Sequence, residues 1–177
     1  HFMFIAEAVH ATGGNGEQGL WDELDQFYYD VLRQPGRAPV TLRVRSVVGL
    51  LPLMAVQVLD EGVLDKLPHL SAQMDWFLAH RPELAALVAD WRAPNPQGRR
   101  LLSLLRTHRL GAVLARMLDP AEFLSNHGVR SVSRYHADHP YVFEQDGVRL
   151  ELAYEPGEGR TRIYGGNSNW RGPVWMP

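Results

Sequence analysis

The sequence predicts a mainly α-helical body carrying a small β-hairpin patch, and three observations lead there. The run from Ser46 to Leu59 is apolar on almost every side, as helices in protein interiors are. Two further stretches, Pro68 to Ala79 and Pro82 to Trp91, open on a proline, which is tolerated in a first helical turn where its missing N–H costs nothing. From Val129 onward the texture becomes β-branched and aromatic, and Asp146-Gly147 is a strong two-residue hairpin signal.

In chain order, Phe2 to Ala11 reads as the end of an apolar helix with Phe2, Ile5, Ala6 and Val9 on one face. Thr12 to Gly16 breaks it with residues that tolerate positive φ. Trp21 to Leu32 is acidic and aromatic together, its second half fit for a short strand. Gln34 to Pro39 is a turn, and Val40 to Val44 reads as the returning strand. Ser46 is a plausible cap for the apolar run, which holds Pro52 in its first turns. Asn95 to Gly98 is a loop, Leu110 to Leu118 is helical, and Asp119-Pro120 opens a turn through Phe123. Val129 to Tyr135, Tyr141 to Gln145 and Val148 to Tyr154 are extended. No repeat of fixed period runs through the chain.

Composition narrows the function classes. The 177 residues are 45 % hydrophobic and 21 % charged with a formal net charge of −2, which is ordinary globular usage and gives no electrostatic ground for a nucleic-acid partner. No apolar run approaches the roughly 20 residues of a membrane helix. The absence of cysteine removes disulfides and thiolate metal sites and fits a reducing, cytoplasmic compartment. The chain opens His1-Phe2-Met3-Phe4 without a basic leader and stops inside an aromatic motif. Residues 1–177 therefore read as a piece cut from a longer chain, truncated at both ends.

Three stretches bear on chemistry. Tyr135-His136-Ala137-Asp138-His139 resembles a ligand cluster, but its histidines lack the i, i+4 spacing of a helical metal pair, so no metal site is expected. No Gly-x-Ser-x-Gly elbow or phosphate-binding loop is present. Trp21, Asp22, Tyr28 and Asp30 combine aromatic platforms with carboxylates, as sugar pockets do; the same residues also suit an acidic turn anchored by its aromatics. The densest stretch is Gly165-Gly166-Asn167-Ser168-Asn169-Trp170-Arg171-Gly172-Pro173-Val174-Trp175. Its glycines let backbone approach a ligand. Its amides, guanidinium and indoles would each need a partner if buried, and sugar hydroxyls supply several.

Gly165 to Pro177 resembles the tryptophan-arginine-glycine-proline motif of glycoside hydrolase family 63 and its bacterial mannosylglycerate-hydrolase-like relatives. Gly19 to Glu23, Phe27 to Leu32, Val44 to Leu50, Phe123 to Ser125, Gly128 to Ser131 and Tyr154 to Glu158 fit the same group. The resemblance implies that residues 1–177 are a fragment of a single catalytic domain, part of an (α/α)6 toroid with an inverting mechanism. One carboxylic acid would protonate the leaving oxygen and a second carboxylate would activate water, the two standing roughly 6.5–9.5 Å apart. Both would lie outside residues 1–177, with Asp22 and Glu158 as the in-chain candidates if they do not. Trp21, Trp170 and Trp175 would stack on the sugar, and Asp22, Asn169 and Arg171 would bind hydroxyls or orient a carboxylate. Arg171 or Arg45 could pair with an anionic substrate. No cofactor is required, and the expected partners are a carbohydrate and the rest of the catalytic domain. The expected activity is an inverting α-glucosidase-like hydrolysis of a glucoside or small sugar conjugate. Two alternatives stand beside it: a non-catalytic carbohydrate-binding module, and a toroid lyase or epimerase using Tyr28, Tyr29 or His136 as base.

Overall fold

The computed structural model describes Ile5, Val9 and residues 19–82, 94–126 and 128–155. Among the described residues ten short strands appear in order: β1 Trp21–Asp22, β2 Phe27–Tyr28, β3 Asp30–Leu32, β4 Val40–Leu42, β5 Val56–Asp60, β6 Arg99–Ser103, β7 Leu124–Ser125, β8 Gly128–Val129, β9 Tyr141–Gln145 and β10 Val148–Leu152. The α-helices are α1 Glu61–Asp65, α2 Pro68–His80 and α3 Thr107–Met117, joined by 3-10 helices at Val47–Met54 and Arg134–Ala137. The strands form five two-stranded antiparallel sheets, β1-β2, β3-β4, β5-β6, β7-β8 and β9-β10.

This overturns the expectation of a mainly α fold forming part of an (α/α)6 toroid. The difference begins in the run from Ser46 to Leu59, which is not one α-helix. Proline lacks an N–H and its ring crowds the preceding turn, and Pro52 sits inside a 3-10 helix that ends at Met54. Val56, Val58 and Leu59 then favour extended backbone and form β5, paired with β6 from Val56↔Ser103 to Asp60↔Arg99. Val56 and Val58 are exposed on that strand, so continuous apolarity here did not mean burial. The expected helices at Phe2–Ala11 and Pro82–Trp91 fall largely outside the described residues.

The chain divides into two compact units, His1–Trp21 with Leu51–Gly111 and Asp22–Leu50 with Ala112–Pro177. In the first, Leu78 of α2 is buried against Leu59, Met74 and Leu102. Ser103 is fully buried and its Oγ accepts the Leu105 N–H at 3.1 Å. Met54 and Trp76 are 75 % and 61 % exposed in this unit, far from what a closed core leaves uncovered.

The second unit is built around Phe27 of β2. Its ring stacks on Phe123 at 5.8 Å and meets Tyr29 edge-on at 5.4 Å, both favourable aromatic geometries. Gly49 is required beside it, because a Cβ there would overlap the Phe27 ring and the Tyr28 carbonyl. The two expected hairpins are present. β3 and β4 pair from Asp30↔Leu42 to Leu32↔Val40. β9 and β10 pair through Asp146-Gly147, whose φ values of 53° and 77° are those of a type I′ turn. Residues 131–133 continue the assembly: Ser46 bridges Val132, and the Ser133 N–H donates to the Arg45 carbonyl at 2.8 Å.

Candidate functional site

The second unit holds a cluster of charged groups, buried at Asp22, Arg45 and Glu122. It begins in the turn after β1, where Oδ1 of Asp22 accepts the N–H groups of Leu24 and Asp25 at 3.0 and 2.9 Å, as a short carboxylate does in a turn. Oδ2 of Asp22 pairs with Arg43 at 2.7 Å. The next acid, Asp25, accepts the Tyr29 hydroxyl at 2.8 Å and meets Arg43 at 3.1 Å and Arg45 at 3.3 Å. Arg43 and Arg45 lie two residues apart just after β4, and both reach Asp25.

Arg45 is the hub. Its Nη1 pairs with Glu122 at 2.7 Å, its Nε lies 3.4 Å from the Tyr29 hydroxyl, and its guanidinium sits 3.7 Å from the centre of the Tyr135 ring, within cation–π range. Glu122 also pairs with Arg116 and accepts the Ser133 hydroxyl. Three guanidiniums thus face three carboxylates, and the cluster is balanced. Breaking one such buried pair leaves an uncompensated charge, which is where its energetic weight lies. Arg130 staples the loop beneath, donating through Nη1 to the carbonyls of Pro120, Glu122 and Leu124 at 2.9, 3.2 and 2.6 Å.

His136 is 2 % exposed. Its Nε2 accepts the Arg45 backbone N–H at 2.9 Å, which assigns the proton to Nδ1, 2.8 Å from the His139 carbonyl. Burial pushes the imidazole below its ordinary value, and Arg45 and His139 push the same way against the His139 carbonyl and Glu122. Burial raises the Asp25 carboxyl, but Tyr29, Arg45, Arg43 and Arg116 outweigh it and hold it below the usual carboxylate range. Tyr29 is pushed up to about 12, by burial first and by Asp25, against Arg45. It is a neutral phenol that donates.

Of the residues expected to line a site, Trp21 and Asp22 are both 7 % exposed. Trp21 has the Arg109 guanidinium 4.7 Å over its ring, and Asp22 is a turn cap and ion-pair partner. Glu158, Asn169, Trp170, Arg171 and Trp175 lie outside the described residues. Arg45, expected as a possible partner for an anionic substrate, is engaged by Glu122 and Asp25. Tyr28, Tyr29 and His136, the alternative bases, are all buried to 3 % exposure or less. No group of side chains fit to hold a metal ion occurs among the described residues, and none of their helices is long and apolar enough to cross a membrane. The cluster itself was missed at the level of sequence, although Arg43-Val44-Arg45 on an extended segment, opposite the acids of residues 22–25, was a usable signal.

Comparison with known proteins places one relative beside the chain. It is 40 % identical over 188 residues to uncharacterized protein YMR196W of Saccharomyces cerevisiae, a match covering 100 % of this chain and 17 % of that protein. The chain therefore spans less than a fifth of the length of the curated relative it matches. No family model matches the chain, and no solved structure matches it.

Proposed function

We propose that this chain is a sugar-facing segment of a glycoside hydrolase, one that hydrolyses a glucoside or small sugar conjugate with inversion and draws its catalytic carboxylates from elsewhere in the protein. The observation that carries the sugar class is the Gly165–Trp175 stretch, where Asn169, Trp170, Arg171 and Trp175 join stacking faces to hydroxyl-binding groups. Its likeness to the family 63 motif supports hydrolysis as the chemistry. The helical toroid that the likeness also implied is no part of the proposal.

The electrostatics of the second unit support the division of labour. A general acid of this mechanism holds its proton near neutral pH, which calls for a raised pKa. Asp25 is shifted the other way, and Asp22 is saturated by two N–H donors and Arg43. Neither is suited to be the general acid. The test is proton NMR of the anomeric signal as the whole protein hydrolyses an α-glucoside. The first product formed should be the β anomer. Retention, or an unsaturated product, rules the proposal out, and binding without turnover favours the non-catalytic carbohydrate module.

A further inference from the structure

The second unit contains a groove of about 360 Å³ between the Gln34–Val40 turn and β9. Along β9, alternation puts Tyr141, Phe143 and Gln145 on one face, and each is half-buried there. Gln34, Arg37 and Val40 form the opposite wall. The two walls are tied together at one end, where Nε2 of Gln145 donates to Oε1 of Gln34. The Tyr141 hydroxyl accepts a hydrogen bond from the Arg43 backbone.

The two charged residues that line the groove, Arg37 and Glu144, are each ion-paired. Arg37 is bound by Asp146 at 3.0 and 2.9 Å, and Glu144 by Arg149. An anionic ligand would find Arg37 already held by a carboxylate, and a cation would find Glu144 already held by a guanidinium. What remains is a mixed set of neutral contacts. The glutamine pair keeps a donor at Gln34 Nε2 and an acceptor at Gln145 Oε1, and Arg37 keeps the N–H groups of Nε and Nη1. Beside them lie the rings of Phe143 and Tyr141, two residues apart on one strand face.

We propose that this groove binds a neutral saccharide, with Phe143 and Tyr141 against the apolar face of a pyranose and Gln34, Gln145 and Arg37 on its hydroxyls. Hydroxyls both donate and accept, so they match an amide pair that offers one of each. The volume lies within the roughly 300–1,000 Å³ typical of small-molecule sites. None of the contacts belongs to the Gly165–Trp175 stretch, and none needs the bound sugar to be cleaved. The groove would hold a sugar away from the reacting bond, as an accessory site.

The test is a titration of the full chain with maltose and with methyl α-D-glucoside, followed by ¹H–¹⁵N NMR including the side-chain amides. Saturable shifts are expected at Gln34, Arg37, Phe143 and Gln145, weakened about tenfold or more in Phe143→Ala, as for loss of an aromatic anchor. Gln34→Ala, on an exposed turn, gives a second variant that leaves β9 in place and should also weaken binding. Glucose 1-phosphate should bind no more tightly than the neutral glucoside. Absence of shifts up to about 50 mM sugar, which covers millimolar affinity, overturns the proposal. So do shifts that survive both substitutions, or tighter binding of the phosphate. Groove binding in a protein that hydrolyses no glucoside would sink the glycosidase proposal alone.

Discussion

Arg45 holds His136 through its backbone, while its side chain holds Glu122. The N–H of Arg45 donates to Nε2 of the imidazole at 2.9 Å and its Nη1 reaches Glu122 Oε1 at 2.7 Å. One residue therefore fixes both the tautomer of a buried histidine and the charge balance of a buried cluster.

A pH dependence follows from the first half of that arrangement. A proton on Nε2 would face the Arg45 N–H, and the folded imidazole titrates below its ordinary 6.5. The unfolded chain then takes up the proton first, so the contribution of His136 to stability is complete above about 6.5 and is lost as pH falls through the folded value. Urea midpoints should fall between pH 7.5 and pH 5.5. His136→Gln, whose amide can accept from Arg45 and donate to the His139 carbonyl, should flatten that fall. An equal slope in the variant would contradict it.

The second half predicts a contrast between buried and exposed pairs. Glu122→Gln leaves Arg45 and Arg116 without their shared carboxylate, and breaking a buried pair costs about 3–5 kcal/mol. Arg149→Ala removes pairs whose partners are more than half exposed and should cost under about 1 kcal/mol. Chemical denaturation of the two variants measures both.

Gly49→Ala should destabilise by roughly 1–3 kcal/mol, the usual cost of overpacking, because the added methyl overlaps the Phe27 ring and the Tyr28 carbonyl. A neutral result in thermal melting would mean that Phe27 can move, and that the second unit is packed less tightly than its ring contacts indicate.

The apolar surface of the first unit makes a further claim. With Leu51, Met54, Val58 and Trp76 exposed, the chain expressed alone should bind a hydrophobic dye. A monodisperse chain with a sharp melt and no dye binding would contradict it.

The parts of the fold legible in sequence were those with local chemistry. Asp146-Gly147 specified its own turn, Gln34 to Pro39 marked the β3-β4 connection, and Pro68 opened α2. The Ser46–Leu59 run misled because apolarity without a period does not distinguish helix from strand, and Pro52 and the valines after it decided against the helix. The charged cluster was hidden for another reason. Asp22, Arg45, Glu122 and His136 are far apart in sequence, and long-range contacts bring them together, among them the pairing of Ser46 with Val132, the Ser133 N–H on the Arg45 carbonyl and the stacking of Phe27 on Phe123. Trp21 and Asp22 were singled out for exposure to a sugar, yet local composition could not show that both are buried.

On the proposed function, these residues shape and bind while the catalytic carboxylates lie elsewhere in the protein. Asp22→Asn tests it most directly, since the amide oxygen can still cap the Leu24 and Asp25 N–H groups while the carboxylate charge is lost. Measured on the whole protein with an α-glucoside it hydrolyses, kcat for the folded variant should stay within about threefold of the parent. A fall of the roughly 10²–10⁴-fold that accompanies loss of a general acid or base would make Asp22 catalytic and contradict the claim.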